Sequence, residues 1–349
     1  MLIKLIKRII RTITVLFRIN WINAFKFYDK DAEVVLWIFK PKVSYIGSDA
    51  FVKDMGILFG LIHEQKKFKL HLGFKIGRLH NKKIFLTLED YYNVFGFNNY
   101  VDVLSHIISQ LEIQGNQVFP SLKEALFWEN KAFMHEQFKK LEVSEPYTQL
   151  FYSYADVLNA NLKYPYLIKA EHSCSSNGLF KINSKEELDN LLISTDFLKE
   201  NQTIIVQELI NMKKDIRVIL VKDEIVLHYW RVNTKEEWQP TSTSYGSSVD
   251  FVFFPDNWRS HIMETFKKLN ITTGAFDITW QNDDLTTEPL YLEISPVFQP
   301  NPVINSTEKS YSYYKKGITF FPSWDAKFVD IVFLIKHKEV KASLSLSKA

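Results

Sequence analysis

Apolar residues recur at helical spacing from the start of the chain. At 100° per residue Leu2, Leu5, Ile6, Ile9, Ile13, Leu16 and Phe17 share one face, while Lys4, Lys7, Arg8, Arg11 and Arg18 share the opposite one. That is the pattern of a strongly amphipathic basic helix. Charges interrupt it every three or four residues, so it lacks the run of about 18 apolar residues that a membrane-spanning helix needs. VVLWIF (34–39) and KKIFLTL (82–88) read as short buried strands and YVDVLSHIISQLEIQ (100–114) as a helix, which predicts an α/β N-terminal lobe. Residues 121–141 keep helical spacing throughout, with Ser121 and Glu124 in capping-box register. YPYLIKA, a polar loop, GLFKI, a Lys/Glu-rich helix from Ser184, TIIVQELI, DIRVILV and EIVLHYW then follow at short intervals, an α+β middle. PTSTSYGSS (240–248) reads as a mobile loop, WRSHIMETFKKLN as a helix, and KASLSLSKA as a polar, disordered tail.

Composition narrows the class. At about 150 residues per domain, 349 residues predict two or three domains or lobes. A hydrophobic fraction of 46% with 15% aromatics excludes a disordered or low-complexity scaffold. The net charge of +3 is too small to predict a nucleic-acid partner. Its placement is more telling: no acid precedes Asp29, whereas Lys4, Lys7, Arg8, Arg11, Arg18 and Lys26 are all cationic. Such a segment suits an anionic membrane surface, contacted through residues 1–20; packing of its apolar face on its own domain and an organellar transit peptide are the other readings. A single cysteine, Cys174, excludes an internal disulfide framework and a Cys-rich zinc site, and points to a cytoplasmic protein, peripheral at the inner membrane face if the helix binds lipid.

The block YLIKAEHSCSSNGLFKI carries the most chemistry. A strand ending at Lys169 enters a loop containing Ser173, Ser175 and Ser176, closed by Asn177 and Gly178, and a second strand leaves it. Small residues let backbone N–H groups approach a polyphosphate beside the lysine's point charge. Most Ser-rich turns, however, are only hairpin turns.

Further short motifs follow in order: TIIVQELI, DIRVILV, TTGAFDITW and LYLEISPVFQPNP. Together with the loop, they make residues 85–305 resemble the ATP-grasp proteins, most like the branch with ribosomal-protein glutamate ligases and glutathione synthetases. The first 80 residues resemble no family. The resemblance implies an α+β ATP-grasp fold with the nucleotide between two α+β subdomains. The expected division is a basic helix at 1–25, an α/β domain at 26–117, an ATP-grasp domain at 118–335 with subdomains meeting near 205–210, and a disordered tail at 336–349.

It also implies roles by position. Lys131 and Lys169 stand where the family has its two nucleotide lysines, and the loop from His172 to Gly178 where it has its phosphate cover. Gln207, Glu208, Leu209 and Ile210 match the adenine hinge, with Glu208 accepting from the adenine amino group. Asp215 and Arg217 match the D-I-R motif, with Arg217 aimed at the transferred phosphoryl group and Arg231 as a second cation. Asp277 and Glu293 match the two Mg²⁺-binding acids. The family's E-x-N is here Glu293, Ile294, Ser295, so Ser295 or Asn301 replaces the usual amide ligand. No His/Cys cluster suggests zinc, and His228 and His261 read as surface or core residues. Tyr229, Trp230 and their aromatic neighbours read as an acceptor pocket or as packing.

The implied activity is an ADP-forming carboxylate–amine ligase that uses ATP and Mg²⁺ and passes through an acyl phosphate. Its substrates would be a small-molecule or sugar carboxylate and an amine, in surface-polysaccharide or related precursor modification. A kinase acting on a small-molecule or sugar acceptor and a degenerate nucleotide-binding interaction protein remain open as alternatives.

Overall fold

A computed structural model of the chain describes residues 2–38, 45–73, 75–77, 79–88, 100–128, 130–173, 178–251, 253–303 and 323–346. The chain forms two compact units, one of Met1–Ala125, Val297–Glu308 and Tyr313–Ala349, the other of Leu126–Pro296 and Lys309–Ser312.

The first unit contains a parallel sheet. Strands β1 (Val34–Ile38), β2 (Phe68–Leu72), β3 (Lys83–Leu86) and β4 (Gln117–Phe119) pair in the order β2-β1-β3-β4. Every residue of β1 is buried, as the unbroken apolar run of a central parallel strand requires. Helices α1 (Leu2–Arg18), α2 (Trp21–Phe27), α3 (Asp49–His63), α4 (Tyr100–Ile113) and the C-terminal α11 (Ser323–Leu344) belong to this unit. Ser48 caps α3 by accepting from Phe51 N at 3.2 Å. α3 packs against α11. A Cβ on Gly56 would lie 3.0 Å from Lys336 Cβ, and one on Gly60 3.0 Å from Val340 Cβ, so glycine at both positions permits the close approach.

Two expectations for this unit are corrected. The chain from 336 is helical to Leu344 and not a disordered tail, because Val340, Ala342 and Ser343 are buried and Lys83 Nζ donates to the carbonyls of Leu344 and Leu346 at 3.1 and 2.8 Å. Packing overrides a Ser/Lys-rich composition. The second concerns the face by which α1 packs: α1 does pack on α3 and α11 of its own unit, but through its arginine side and not its apolar face.

The 121–141 segment, which leads from the first unit into the second, is not one helix. It divides into α5 (Leu122–Phe127), within which the unit boundary falls, and α6 (Lys131–Lys140). The capping box forms, Ser121 N donating to Glu124 Oε2 at 2.8 Å and Glu124 N to Ser121 Oγ at 3.3 Å. The break comes from Asn130, whose side chain accepts from Phe133 N at 3.0 Å and caps a new helix that starts at Lys131.

Strands β5 (Thr148–Phe151), β6 (Tyr166–Lys169), β7 (Leu179–Ile182) and β8 (Ile204–Glu208) form an antiparallel sheet ordered β5-β8-β6-β7. With it go α7 (Tyr154–Asn159), α8 (Lys185–Leu192) and α9 (Phe197–Glu200). The second antiparallel sheet is ordered β11-β10-β9-β12-β13, from β9 (Lys214–Val221), β10 (Glu224–Val232), β11 (Ser248–Asp250), β12 (Thr273–Thr279) and β13 (Leu290–Ser295). Its apolar face, with Ile216, Val218, Phe276, Ile278 and Ile294, joins a core that includes Met134 and Phe138 of α6 and Ile262 and Phe266 of α10 (Arg259–Leu269). Strand period puts Asp215, Arg217, Arg231 and Asp277 on the other face.

Residues 240–248 are anchored where a mobile loop was expected. Thr241 and Ser242 are buried, Ser247 Oγ donates to Asn233 Oδ1 at 2.8 Å, and the stretch ends in β11 paired with β10. Hydroxyl groups satisfied by buried acceptors hold a segment whose composition alone reads as loop.

Candidate functional site

Cross-strand register assembles the charged face. Asp215 and Arg217 are two apart on β9, so they share a face. Arg231 lies opposite Asp215, Tyr229 opposite Arg217, Asp277 opposite Arg217, and Glu293 opposite Asp277. The side chains then pair across strands and not along β9. Arg217 donates to both Asp277 oxygens, Nε to Oδ1 at 2.7 Å and Nη2 to Oδ2 at 2.8 Å. Arg231 bridges both acids, binding Asp215 through Nε at 2.8 Å and Asp277 Oδ2 through Nη2 at 2.8 Å. Thr241 Oγ1 completes Asp215 at 2.8 Å.

Burial governs the protonation of this network. It raises the Asp215 carboxyl above its ordinary value even beside Arg231. Burial also works against an ionised Asp277, but Arg217 and Arg231 together hold that carboxyl below its ordinary value. Burial opposes the guanidinium charges as well, and the carboxylates outweigh it, so both arginines are held above their ordinary values.

Lys169 ends β6 and is buried. Desolvation brings its ammonium down to about 8, against the opposing attraction of Glu293, Glu145 and Asp277 and with the repulsion of Lys131. Lys131, first residue of α6, donates to the Ser173 carbonyl and to Ser173 Oγ. It is placed by two backbone links, Lys131 N to Glu171 O at 3.0 Å and the Asn130–His172 bridge. Ala170 N donates to Gly178 O at 2.7 Å and so closes the neck of the loop. Gly178 has φ of +74°, and a Cβ there would sit 2.6 Å from Ala170 Cβ, so glycine is required. Ser175, Ser176 and Asn177, with Cys174, lie outside the described residues.

The expected hinge residues span the end of β8, Gln207 and Glu208 within it and Leu209 and Ile210 just after it. Gln207 is buried and its amide donates to Thr148 Oγ1 at 2.8 Å, which commits that side chain to the fold. Glu208 Oε1 accepts from Tyr147 N at 2.7 Å, Leu209 is half-buried and Ile210 buried. Among the expected metal ligands, Asp277, Glu293 and Ser295 share the second unit and Asn301 belongs to the first. No group of three or more His, Cys, Asp or Glu among the described residues could hold a metal ion. Two facing carboxylates still fit Mg²⁺, which commonly takes one or two protein carboxylates and completes its shell with phosphate oxygens and water. The three arginine bonds leave a lone pair on Asp277 Oδ1, since a carboxylate offers about four acceptor sites.

The D-ala D-ala ligase C-terminus family matches residues 128–273, which takes in both lysines, the loop, the hinge and β9 and β10. The RimK domain protein ATP-grasp from Sphaerobacter thermophilus is 11% identical and superposes with a TM-score of 0.52, covering 86% of this chain and 98% of its own. The chain has the ATP-grasp fold. D-alanine–D-alanine ligase from Bacillus anthracis complexed with ATP gives 12% identity, a TM-score of 0.52, and coverage of 88% and 97%. The ATP-grasp ligase PsnB complexed with a phosphomimetic variant of its minimal precursor, Mg and ADP gives 11%, 0.51, and 88% and 100%. No curated protein matches the sequence significantly. The likeness in fold extends beyond the 85–305 segment that the motifs mark. The family match ends at Thr273, so Asp277 and Glu293 lie beyond it.

Three participants were not legible from spacing. Thr241 sits in a stretch that reads as loop, and His135 and Glu145, ten residues apart, form no motif. His135 is buried, its Nδ1 bonded to Glu145 Oε2, with no partner on Nε2 among the described residues. Burial pushes the Glu145 carboxyl from 4.5 up to about 8, against the pull of Lys169. Burial, with Lys169 and Lys131, lowers His135 well below 6.5. At pH 7 a protonated Glu145 therefore donates to a neutral His135.

Glu145 binds its proton more tightly folded than unfolded, so rising pH removes stability between 4.5 and about 8. His135 acts oppositely below 6.5, where the unfolded imidazole takes a proton that the folded one refuses. From pH 6.5 to 8 the Glu145 loss stands alone, about 2 kcal/mol. Glu145→Gln keeps a donor for His135 and removes the titration. Urea unfolding across this range should show the variant's stability flat where the parent's falls, and equal slopes would discard the pair as the cause.

Proposed function

We propose that the chain is an ATP-dependent, ADP-forming carboxylate–amine ligase with ATP and Mg²⁺ as its cofactors. The observation that carries this is the convergence of two lysines and two arginines with the facing carboxylates Asp277 and Glu293 on the unit matched by the family. Two solved structures of similar fold hold ATP, or Mg and ADP, as bound molecules. Lys131, Lys169, the Ser173–Gly178 loop and its backbone N–H groups would hold the triphosphate, and Glu208, Leu209 and Ile210 the adenine edge. Asp277 and Glu293, supplemented by Ser295, would hold Mg²⁺, which when bound neutralises phosphate charge. Arg217 is positioned for the phosphoryl group under transfer, where negative charge develops. Asp215 and Arg231 act as positioning residues that fix the Asp277–Arg217 pair.

A substrate carboxylate attacks the γ-phosphorus, the bond to the ADP oxygen breaks, and an amine then displaces phosphate from the acyl phosphate to leave an amide. No protein nucleophile is needed; position and charge supply the rate. A carboxylate on a surface-polysaccharide or related precursor is the substrate class we favour, because such precursors are presented at membranes and α1 exposes an apolar face.

³¹P NMR on mixtures of ATP, candidate carboxylates and amines tests the reading. The expected result is one inorganic phosphate per ADP, dependent on both substrates. A stable phosphomonoester without inorganic phosphate would replace the ligase with a kinase.

A further inference from the structure

The packing of α1 inverts the usual arrangement of an amphipathic helix. Arg11 is buried, donates to Asp325 Oδ1 at 2.7 Å and to Asp49, and lies 4.5 Å over the Phe328 ring. Arg18 binds Asp330 through two bonds of 2.7 and 3.1 Å. Val15, near Arg11 around the helix, and Ile19, just past its end, are buried, while Arg18 stays exposed. The protein therefore holds α1 by its cationic side, and the apolar stripe points outward: Leu2, Leu5, Ile9, Ile13, Leu16 and Phe17 are all exposed, Phe17 by 83%. α2 continues it with Ile22 and Phe25, 82% and 79% exposed, while Trp21 Nε1 ties the two helices by donating to Leu16 O at 2.9 Å.

A continuous apolar surface of this kind on a folded unit marks a docking face. Charge selects the occupant. Lys4 and Arg8, on the other side of α1 from the stripe, and Lys26 of α2 remain exposed, and no acid occurs among the first 28 residues. A second copy laid on the same face would bring like charges together with no carboxylate from this segment to meet them. An anionic lipid surface meets both features, taking the apolar side chains into the acyl boundary and the cations onto its headgroups. No helix among the described residues is long and apolar enough to cross a membrane, and the 17 residues of α1 make a rod of about 26 Å suited to lying in the interface.

We propose that α1 and α2 form an interfacial anchor by which the folded protein docks on anionic membranes through the outward face of α1. The proposal is independent of the ligase reading, because none of these residues belongs to the ATP site. Its design differs from a detachable amphipathic tail: Arg11 neutralises the buried Asp325, so the anchor is built into the fold and deleting residues 1–20 would unfold as well as detach.

Point substitutions of outward residues avoid that problem. Co-sedimentation of the full chain with vesicles of equal phosphatidylglycerol and phosphatidylcholine should exceed that with phosphatidylcholine alone by about tenfold or more. Ile9→Glu with Leu16→Glu should abolish binding to both, at unchanged thermal midpoint and unchanged ATP affinity. Lys4→Glu with Arg8→Glu should remove the preference for anionic vesicles. Absence of binding by the parent chain, or undiminished binding by the Ile9/Leu16 variant, would overturn the anchor. So would a concentration-dependent dimer, lost in that variant, in a parent chain that ignores vesicles; a second copy would then be the occupant.

Discussion

Glu293→Gln should erase the dependence of ATP binding on Mg²⁺. The parent protein is expected to bind ATP about 100-fold more tightly with Mg²⁺ than with a chelator, since two carboxylates and the phosphate oxygens share the ion. Glutamine keeps the size and one oxygen of Glu293 but removes the charge that faces Asp277 across β12 and β13. Asp277 alone is a poor ligand, because Arg217 and Arg231 already engage both of its oxygens. The ratio of affinities should fall below about fivefold, while binding in the chelator changes little. Calorimetric titration of ATP in the two conditions measures it. A variant that keeps the full ratio would remove Glu293 from the metal site. Turnover should drop with it by about 10²- to 10³-fold, the usual consequence of losing one electrostatic element aligned on the transferred group.

The second large effect is at Lys169. Lys169→Met should weaken ATP binding by about 100-fold, corresponding to roughly 2.7 kcal/mol for a buried charge-assisted contact. It should also stabilise the ligand-free protein at pH 7. Desolvation brings this ammonium down to about 8, so the fold resists the charge that the function uses. The folded chain gives up this proton before the unfolded chain does, and its contribution to stability therefore grows as pH rises from about 8 to 10.5. Methionine has no charge to desolvate and should gain about 1–3 kcal/mol at neutral pH, read by urea unfolding. The same property makes ATP binding pH-dependent. At pH 9 about nine-tenths of Lys169 is neutral, so affinity should be about tenfold lower than at pH 7, with close to one proton taken up per ATP bound. Calorimetry in two buffers of different ionisation enthalpy counts that proton. Uptake that persists in Lys169→Met would assign it to another group.

What the sequence determined by itself is the set of short-range facts. The apolar run 34–38, the Ser121–Glu124 capping box, the Ser184 cap and the lysine at the end of YLIK depend on neighbours within about four residues, and the structure contains each of them. The ordered motifs pointed to the ATP-grasp fold because each of them is itself local. Asn130 shows the limit of this kind of information. Helical spacing continues across it, and only the competition between its side-chain cap and the i→i−4 ladder decides that a new helix begins at Lys131.

Tertiary structure decided what depends on register and burial. Whether Arg217 pairs with Asp215 or Asp277 is settled by which strand lies beside β9, and no spacing along the chain contains that. The His135–Glu145 pair and the anchoring of Thr241 arise where distant segments meet in a buried volume and each polar group must find a partner. The same holds for α1. Its sequence defines two faces, but the acids that choose between them, Asp49, Asp325 and Asp330, lie 31 to more than 300 residues away, and their ion pairs turn the apolar face outward.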